Sequence, residues 1–273
     1  MNKKNPLISV IIPCYNTEKF VEQAVRSIME QSYRNLEIIV INDCSKDHTG
    51  EILKKLAQED SRIVYIENEV NLKLPKTLNK GIGLAKGEYI ARMDADDISL
   101  INRIEKQIRF MLIHNDIDLI GSNMQKIDEN NNLKSCRSYN PLSIQKINKQ
   151  MAWKCVLVHP SILAKKSFFV ELNGYNEELS YAEDYDLWIR AILAKKKIAN
   201  MPDILLKYRI HNNQMSDVRY NPKNAAVIRK FLFKYFLRTK NIYFLFGCLL
   251  NTRFFYNLIK NTANVRRKLK NLN

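Results

Sequence analysis

Three carboxylates within four residues, Asp94, Asp96 and Asp97, carry the strongest chemical signal in this sequence. They follow an apolar run from Tyr89 to Met93, which predicts a buried strand. Carboxylates this close repel one another unless a cation neutralises them, and Mg²⁺ or Mn²⁺ prefers such hard oxygen ligands and shares its shell with substrate phosphates. The pattern favours a divalent-metal site; the alternative is a solvated acidic turn that caps the next helix.

A second acidic group, Glu183, Asp184 and Asp186, opens the apolar segment that contains Trp188. Capping at a helix N-terminus explains one or two such acids. It does not easily explain three acids near a buried tryptophan. The functional interpretation is a general base that takes a proton from an acceptor hydroxyl.

Two histidines are further candidates, His159 before Pro160-Ser161 and His211 after Y-R-I. A lone histidine is more often structural than catalytic. Residue type alone therefore assigns a role to neither of them.

The elements that position these residues follow from the apolar patterns. The first 66 residues predict alternating strands and helices: strand 7–12, helix 17–31, strand 36–41, a helix through 52–56, and strand 62–66. Such alternation indicates a parallel sheet, whose ligands bind at the carboxyl ends of the strands. Loops with the letters P-C-Y-N, N-D and D-A-D-D leave those ends. The sequence contains neither G-x-G-x-x-G nor a Walker loop, which excludes an ordinary dinucleotide or P-loop site.

The pattern is looser beyond residue 98. It predicts helices over 103–113 and 183–195, a strand over 119–127 and a turn over 128–132.

The net charge of +16 is concentrated at the C-terminal end. Residues 219–273 hold 13 of the 44 Lys and Arg residues, no acidic residue and many aromatic ones. Three interpretations compete: a polybasic surface on an anionic membrane, worth about 1 kcal/mol per basic residue; a single-stranded nucleic-acid site; and a packed helical subdomain with solvated charges. We favour the membrane.

The five cysteines form no C-x-x-C pair, so neither a disulfide framework nor a zinc ribbon is indicated, and a reducing compartment fits. The sequence shows no stretch of about 18 uninterrupted apolar residues, and a spanning helix is not expected. The N-terminal apolar run is too short for a signal peptide. These features predict a cytoplasmic protein, peripheral on the inner face of the plasma membrane.

Ordered motifs give the sequence a family resemblance over residues 6–217. They are S-V-I-I-P-C-Y-N at 9–16, V-I-N-D-C-S-K-D-H-T at 40–49, L-N-K-G-I-G-L-A-K-G-E-Y-I-A-R-M-D-A-D-D at 78–97, H-P-S-I at 159–162, G-Y-N-E-E at 174–178, A-E-D-Y-D-L-W-I-R at 182–190 and Y-R-I-H-N-N-Q-M-S at 208–216. In this order they resemble the family 2 glycosyltransferases, inverting enzymes of the GT-A fold.

The resemblance implies a nucleotide site in the N-terminal loops. Pro13, Tyr15 and Glu18 match positions that contact the base and ribose. Asp43 matches the carboxylate that pairs with the base, often uracil in this family, and Asp94 matches a contact near the ribose and metal.

The resemblance also implies the reacting groups. Asp96 matches the main metal ligand with Asp97 close by, His211 would complete the metal or pyrophosphate site, and Asp184 matches the catalytic base. The chemistry needs both acidic groups. A divalent cation stabilises the leaving nucleoside diphosphate, and a base on the opposite face of an oxocarbenium-like sugar activates the acceptor, which inverts the anomeric configuration.

Two positions depart from the family pattern. Lys73 stands where the family usually has Gly, two residues after Asn71, so we expect a differently shaped loop near the nucleotide. Ile101 stands where Pro often follows the acidic cluster, which changes only how the next helix starts.

We therefore predict an α/β fold: a GT-A-like single domain over 1–217 with a mostly parallel central sheet flanked by helices, and a basic, aromatic, helical C-terminal extension over 218–273. The first domain would have a nucleotide-sugar-binding half, 1–100, and an acceptor-binding half, 101–217.

The predicted reaction moves a sugar from a nucleoside diphosphate donor, UDP-linked, to a hydroxyl of a growing bacterial surface glycan such as lipopolysaccharide or capsule. The expected cofactor is Mn²⁺ or Mg²⁺. The expected partners are the donor, a lipid-linked or oligosaccharide acceptor, and an anionic membrane surface contacted by 219–273; no nucleic acid is expected.

Two rival functions remain open at this point. A non-catalytic nucleic-acid-binding protein would use the basic tail and would not need the acidic cluster. A nucleotidyltransferase on a similar sheet usually shows a Gly-rich, Lys- or Arg-bearing phosphate loop after the first strand, and P-C-Y-N is not one.

Overall fold

Strands from both halves of the sequence join one sheet. The computed structural model describes residues 5–137, 143–179, 181–211 and 222–254 of the 273. The strands are β1 Ile8–Cys14, β2 Leu36–Asn42, β3 Ile63–Glu67, β4 Tyr89–Arg92, β5 Ile98–Ser99, β6 Leu119–Ile127, β7 Leu133–Arg137, β8 Leu163–Lys165 and β9 Ile198–Arg209. Among the described residues they form a nine-stranded sheet in the order β3-β2-β1-β4-β8-β6-β9-β5, with β7 paired to β6.

Helices connect and flank these strands. They are α1 Val21–Met29, α2 Thr49–Glu59, α3 Lys73–Leu84, α4 Arg103–Ile113, α5 Ile144–Met151, α6 Lys166–Glu171, α7 Glu183–Leu193, α8 Pro222–Thr239 and α9 Ile242–Leu250. In the described ranges, no helix combines the length and apolarity that crossing a bilayer requires.

The predicted α/β fold with a mostly parallel, helix-flanked sheet is confirmed. β1 pairs in parallel with β2 and β4, and β2 pairs in parallel with β3. Every residue of β2 is buried, as its run of β-branched side chains predicts. The loops after β1, β2 and β4 consequently leave the same edge of the sheet, which is the edge that the sequence indicated.

Antiparallel pairs enter the sheet with the later strands. β8 lies antiparallel between β4 and β6, while β6 and β9 are parallel. β5, which follows the acidic cluster directly, pairs antiparallel with the end of β9. This pairing brings the residues after β9 beside the acidic cluster.

Within the first 100 residues, α1 and α3 differ from the sequence prediction. α1 begins at Val21 rather than Thr17, because Thr17 to Phe20 forms a turn in which the Phe20 N–H donates to the Thr17 carbonyl over 2.9 Å. α3 was not predicted, since its first turn contains Pro75 and it carries Gly81 and Gly83, which lower helix propensity. The packing of α3 against the sheet stabilises it despite this composition.

The chain divides into two compact units. The larger comprises Met1–Ile147 with Val156–His211, and the smaller comprises Asn148–Cys155 with Asn212–Asn273. The predicted boundary at 217/218 and the basic residues beyond 254 lie outside the described residues. In the smaller unit, residues 148–155 join the C-terminal helices, an association that no local sequence pattern indicates.

The aromatic residues of the smaller unit divide into two sets. Phe231, Tyr235 and Phe244 are buried, and the Tyr235 and Phe244 rings stack with centroids 5.9 Å apart. Phe246 and Phe254 are exposed. Part of the aromatic content therefore forms a core for this unit, and part faces outward.

Two glycines of α3 provide a matched test of this packing. A Cβ on Gly81 would lie 2.7 Å from Cγ2 of Ile11 and 3.1 Å from Cδ1 of Ile41, whereas a Cβ on Gly83 would meet nothing within 4 Å. We expect Gly83→Ala to raise the free energy of unfolding by about 0.5–1 kcal/mol through reduced backbone entropy of the unfolded chain. Gly81→Ala should lower it, because overpacking costs about 1–3 kcal/mol.

Urea unfolding of both variants checks this pair. Equal midpoints for the two variants would contradict close packing of α3 on β1 and β2.

Candidate active site

Three acidic side chains gather in the loop between β4 and β5. Asp94, Asp96 and Asp97 each offer a carboxylate oxygen, and these oxygens lie within 4.8 Å of one another. Asp94 and Asp96 are partly buried, while Asp97 is fully buried. The β4 strand on one side and the β5–β9 pair on the other hold this short loop, so the acids cannot move apart to relieve their repulsion.

Asp97 combines a structural bond with an unused oxygen. Its Oδ1 accepts the Arg209 backbone N–H over 2.9 Å, and its Oδ2 is buried without a hydrogen-bond partner. Burial raises the pKa of the Asp97 carboxyl well above its ordinary value, and the charges of Asp96 and Asp94 raise it further. An orphaned, buried carboxylate oxygen beside two other carboxylates fits a hard divalent cation.

His211 lies next to this cluster. Its Nε2 is 2.8 Å from Oδ2 of Asp96, although the two residues are 115 positions apart in the sequence. The neighbouring Arg209 fixes the strand end by donating Nε to the Asp96 carbonyl over 2.7 Å and by stacking over the Phe20 ring at 4.7 Å. The structure thus brings together all four residues that the sequence linked to the metal and its surroundings.

The loops after β1 and β2 are tied together by reciprocal hydrogen bonds. The Asn16 N–H donates to the Ser45 hydroxyl, and Asn16 Oδ1 accepts the Lys46 N–H over 2.8 Å. The Glu18 N–H donates to Asp47, and Glu18 Oε2 accepts the His48 N–H over 3.0 Å. Glu18 therefore already holds the neighbouring loop with one oxygen.

The remaining N-terminal candidates stand at the end of β1. Pro13 is half-buried within the strand, and Tyr15 is 46% exposed. An exposed aromatic ring at the carboxyl end of a parallel strand is available to stack on a ligand.

Asp43 is buried and holds the loop that leads into α3. Its Oδ1 accepts Nδ2 of Asn68 over 2.7 Å and the Leu72 N–H over 2.8 Å, and its Oδ2 accepts the Lys73 N–H over 3.0 Å. A carboxylate has about four acceptor positions. Three are used, which leaves one on Oδ2.

Lys73 takes the backbone conformation that glycine adopts without strain. Its φ is 70°, in the left-handed region. For a residue with a Cβ this costs about 1–2 kcal/mol. The bond from its N–H to Asp43 holds it there, so the absence of Gly at this position does not prevent a left-handed turn.

The second acidic group opens α7. Ala182 precedes the helix with a left-handed φ of 62°, and Glu183 and Asp186 are buried. Asp186 pairs with Arg190 at 2.7 Å within the helix, while Asp184 is partly exposed. Burial raises the pKa of Glu183 to about 7, and the charge of Asp184 adds to this effect.

The two acidic groups share one electrostatic environment. Burial raises the pKa of Asp94, the charge of Arg92 opposes that shift, and the charges of Asp96 and Asp184 strengthen it. The acidic loop and the start of α7 are therefore close enough for their charges to act on one another.

His159 belongs to a different set of contacts. Its Nε2 lies 2.7 Å from the Tyr175 hydroxyl, and its ring packs edge-on against Trp188 at 5.8 Å. Burial lowers the pKa of His159 well below its usual value, and the charge of Arg92 lowers it further. The imidazole is consequently neutral and helps to fix the wall of the site.

Sequence reasoning assigned no role to Arg92, Tyr175 or Arg209. Arg92 had a visible signal, because a charged residue inside the apolar strand β4 must find a partner when it is buried. Tyr175 and Arg209 had no such local signal, since their contacts depend on strand pairing and on the turn before α7.

Comparisons with known proteins place this chain in a family. The family model described as Glycosyl transferase family 2 matches residues 9–172. An uncharacterized glycosyltransferase, MJ1057, of Methanocaldococcus jannaschii is 38% identical over 218 residues, covering 78% of this chain and 75% of that protein. The O-antigen biosynthesis glycosyltransferase WbnJ of Escherichia coli is 34% identical over 236 residues, covering 84% and 90%.

Solved structures share the fold. TarS 1–349 of S. aureus, in complex with UDP-GlcNAc, superposes with a TM-score of 0.69 at 21% identity, covering 84% of this chain and 66% of that one. The mannosyltransferase PcManGT of Pyrobaculum calidifontis, in complex with GDP-Man and Mn²⁺, gives 0.67 at 15% identity, covering 96% and 81%.

The family match spans more than half of the chain, and the relatives align over most of their own length. The predicted resemblance is confirmed: this chain belongs to glycosyl transferase family 2.

Proposed function

We propose that this glycosyltransferase transfers a sugar from a UDP-linked donor to a hydroxyl of a bacterial surface glycan, with inversion at the anomeric carbon. The single observation that carries this proposal is the pair of acidic groups facing one space, Asp94 to Asp97 on one side and Glu183 with Asp184 on the other. Inverting transfer requires negative charge to be stabilised at the leaving side and a base at the attacking side.

The leaving side would be held by the acidic loop. Asp96 and the free Oδ2 of Asp97 would hold Mn²⁺ or Mg²⁺, with His211 beside Asp96 and with Asp94 near the ribose. When bound, such a cation stabilises the charge that develops on the leaving diphosphate. PcManGT was solved with Mn²⁺ and GDP-Man, which supports this assignment by analogy of fold.

The nucleotide would lie over the ends of β1 and β2. Pro13 and Tyr15 offer apolar and aromatic surface, and the remaining acceptor position of Asp43 suits a base N–H such as that of uracil. Glu18 has one carboxylate oxygen beyond its bond to the neighbouring loop. TarS binds UDP-GlcNAc on a similar fold, which favours a UDP-linked donor.

Asp184 would take the acceptor proton. It matches the family position, it stands at the start of α7 across from Asp94, and it is more exposed than Glu183. The acceptor class is argued from relatives, since WbnJ acts in O-antigen biosynthesis.

An amphipathic surface on the smaller unit would hold the enzyme at an anionic membrane. Ile242, Phe246 and Leu249 lie along one face of α9 and are 63%, 47% and 52% exposed. Residues 222–254 contain seven Lys and Arg residues and no acid. Apolar side chains that insert, surrounded by basic residues, match an anionic leaflet, and a lipid-linked acceptor would be found there.

Asp96→Ala tests the donor side. We expect UDP with Mn²⁺ to stabilise the wild-type protein against heat and Asp96→Ala to lose this response. Turnover should fall by more than about 100-fold, because a divalent cation contributes several kcal/mol and each ~1.4 kcal/mol is tenfold in rate. The measurements are thermal unfolding and nucleotide release from a panel of UDP-sugars.

Asp116→Ala is the matched control, since Asp116 is an exposed carboxylate that pairs with Lys197. A wild-type protein indifferent to every UDP-sugar, or full activity in Asp96→Ala, would contradict the donor-side proposal.

Asp184→Asn tests the attacking side. It should leave donor affinity nearly unchanged and lower kcat by about 10²–10⁴-fold, the usual effect of losing a general base. Glu183→Gln should retain far more activity. Calorimetric donor binding and steady-state kinetics of both variants distinguish the roles of the two acids. A larger loss of kcat in Glu183→Gln than in Asp184→Asn would assign the base to Glu183.

The pH dependence of stability provides a control for Glu183. Its folded-state pKa of about 7 exceeds the unfolded value of about 4.3. The folded state therefore binds this proton more tightly than the unfolded state does. Protonated Glu183 contributes to the free energy of unfolding at low pH, and this contribution is lost as the pH rises through 7. Glu183→Gln should show a smaller loss than the wild type, since the raised pKa values of Asp94 and Asp97 remain, and urea unfolding at pH 5 and pH 8 would measure the difference.

Ile242→Glu with Leu249→Glu tests the membrane surface. Burial of one Ile or Leu contributes about 1.5–3 kcal/mol, so binding to anionic vesicles should weaken at least about tenfold. Ile113→Glu with Val170→Glu is the matched control, because these side chains of the larger unit are 67% and 61% exposed. Truncation of the C-terminal extension is a less specific test, because it would also remove Tyr243 and Phe246, whose rings pack against Trp153.

Co-sedimentation with phosphatidylcholine vesicles, with and without phosphatidylglycerol, is the measurement. Equal binding by the wild type and the Ile242→Glu/Leu249→Glu variant would reject the membrane surface.

A further inference from the structure

Arg92 is a buried cation that contacts Asp94 and whose charge acts on both acidic groups. It is the last residue of β4 and is only 3% exposed. Its Nη1 donates to Oδ2 of Asp94 over 2.9 Å, and its Nη2 donates to Oδ1 of the same carboxylate. Both oxygens of Asp94 are thus held by one planar fork, which fixes the orientation of the carboxylate.

The charge of Arg92 also reaches the other side of the site. It opposes the effect of burial on the pKa of Glu183, and it contributes to the low pKa of His159. Arg92 therefore counters carboxylate charge from both Asp94 and the start of α7. A buried arginine needs such compensation, because desolvation of an unpaired charge costs several kcal/mol.

We propose that Arg92 is a positioning residue for the transfer reaction. It fixes Asp94 and reserves that carboxylate for the donor, so that a divalent cation is bound through Asp96 and Asp97 and is not captured by Asp94. This inference rests on the proposed function for its consequence in turnover, whereas its consequence for the cation can be measured without any donor.

Loss of Arg92 should affect cation affinity and turnover in opposite directions, because Arg92 sets both the charge of the site and the orientation of Asp94. Without the guanidinium, Asp94 becomes a freely rotating carboxylate and the site carries one more uncompensated negative charge. The cation is then attracted more strongly. The reacting groups are held less well, and a displacement of about 1 Å can cost about 10²-fold in rate. General damage to the fold would weaken both properties together.

Arg92→Met and Arg92→Lys test this directly. We expect Arg92→Met to bind Mn²⁺ alone several-fold more tightly, as measured by electron paramagnetic resonance titration, and to lose turnover by at least about tenfold. Arg92→Lys keeps the charge but not the fork. It should bind Mn²⁺ like the wild type and recover only part of the turnover.

Arg62→Met is the matched control. Arg62 also pairs with an aspartate two residues away: its Nε and Nη2 donate to Asp60 over 3.0 and 2.6 Å. This pair lies at the start of β3, at the opposite edge of the sheet. This variant should lose stability and leave both Mn²⁺ affinity and turnover per folded molecule unchanged.

A double-mutant cycle with Asp94→Asn decides whether Arg92 acts through Asp94. If it does, Arg92→Met should cost much less turnover in the Asp94→Asn background than in the wild type. Additive losses, or an Arg92→Met variant that binds Mn²⁺ no more tightly than the wild type, would overturn the proposal. Should Arg92→Met fail to fold, Arg92→Gln, which also removes the charge, takes its place in the same comparisons.

Failure of the proposed function and failure of the Arg92 proposal give different results. A wild-type protein without transfer activity would defeat the proposed function, while the Mn²⁺ titrations would still test Arg92.

Discussion

Repulsion between carboxylates at one edge of the sheet is the constraint that the surrounding structure must balance. Asp94, Asp96 and Asp97 present oxygens within 4.8 Å of one another, and the charge of Asp184 acts on the same space. Arginine side chains and backbone N–H donors make this arrangement stable. The Arg92 guanidinium donates hydrogen bonds to the Asp94 carboxylate. Arg209 donates to the Asp96 carbonyl from its side chain and to the Asp97 carboxylate from its backbone N–H.

These compensations explain the order of elements around the site. Arg209 ends β9, and β9 pairs with β5 directly after the acidic loop, so the strand pairing itself delivers the arginine and the following His211. The buried Oδ2 of Asp97 is left without a hydrogen-bond partner. An orphaned oxygen among compensated carboxylates fits the divalent cation that we propose for this site.

The side of the site that we propose for the nucleotide is organised by neutral donors. Asp43 is satisfied by two backbone N–H groups and the Asn68 amide, and the loops after β1 and β2 exchange bonds through Asn16 and Glu18. Backbone donors held by strands do not reorganise when a ligand arrives. The left-handed Lys73 is tolerated because its N–H completes this set. The site thus combines compensated carboxylates at the proposed metal position with a frame of neutral donors at the proposed nucleotide position.

The sequence by itself determined the strand–helix alternation through β4, because buried parallel strands and amphipathic helices have periods that can be read over a few residues. It also placed the acids after β4 and at the start of α7, where residue type and spacing are local properties. It did not reveal α3, whose Pro75, Gly81 and Gly83 oppose helix propensity until packing on Ile11 and Ile41 stabilises it. The tertiary structure alone decided that His211 contacts Asp96, that Tyr175 meets His159, and that residues 148–155 join the C-terminal helices. Such contacts join residues distant in the chain through strand pairing and packing, which leave no period in the local sequence.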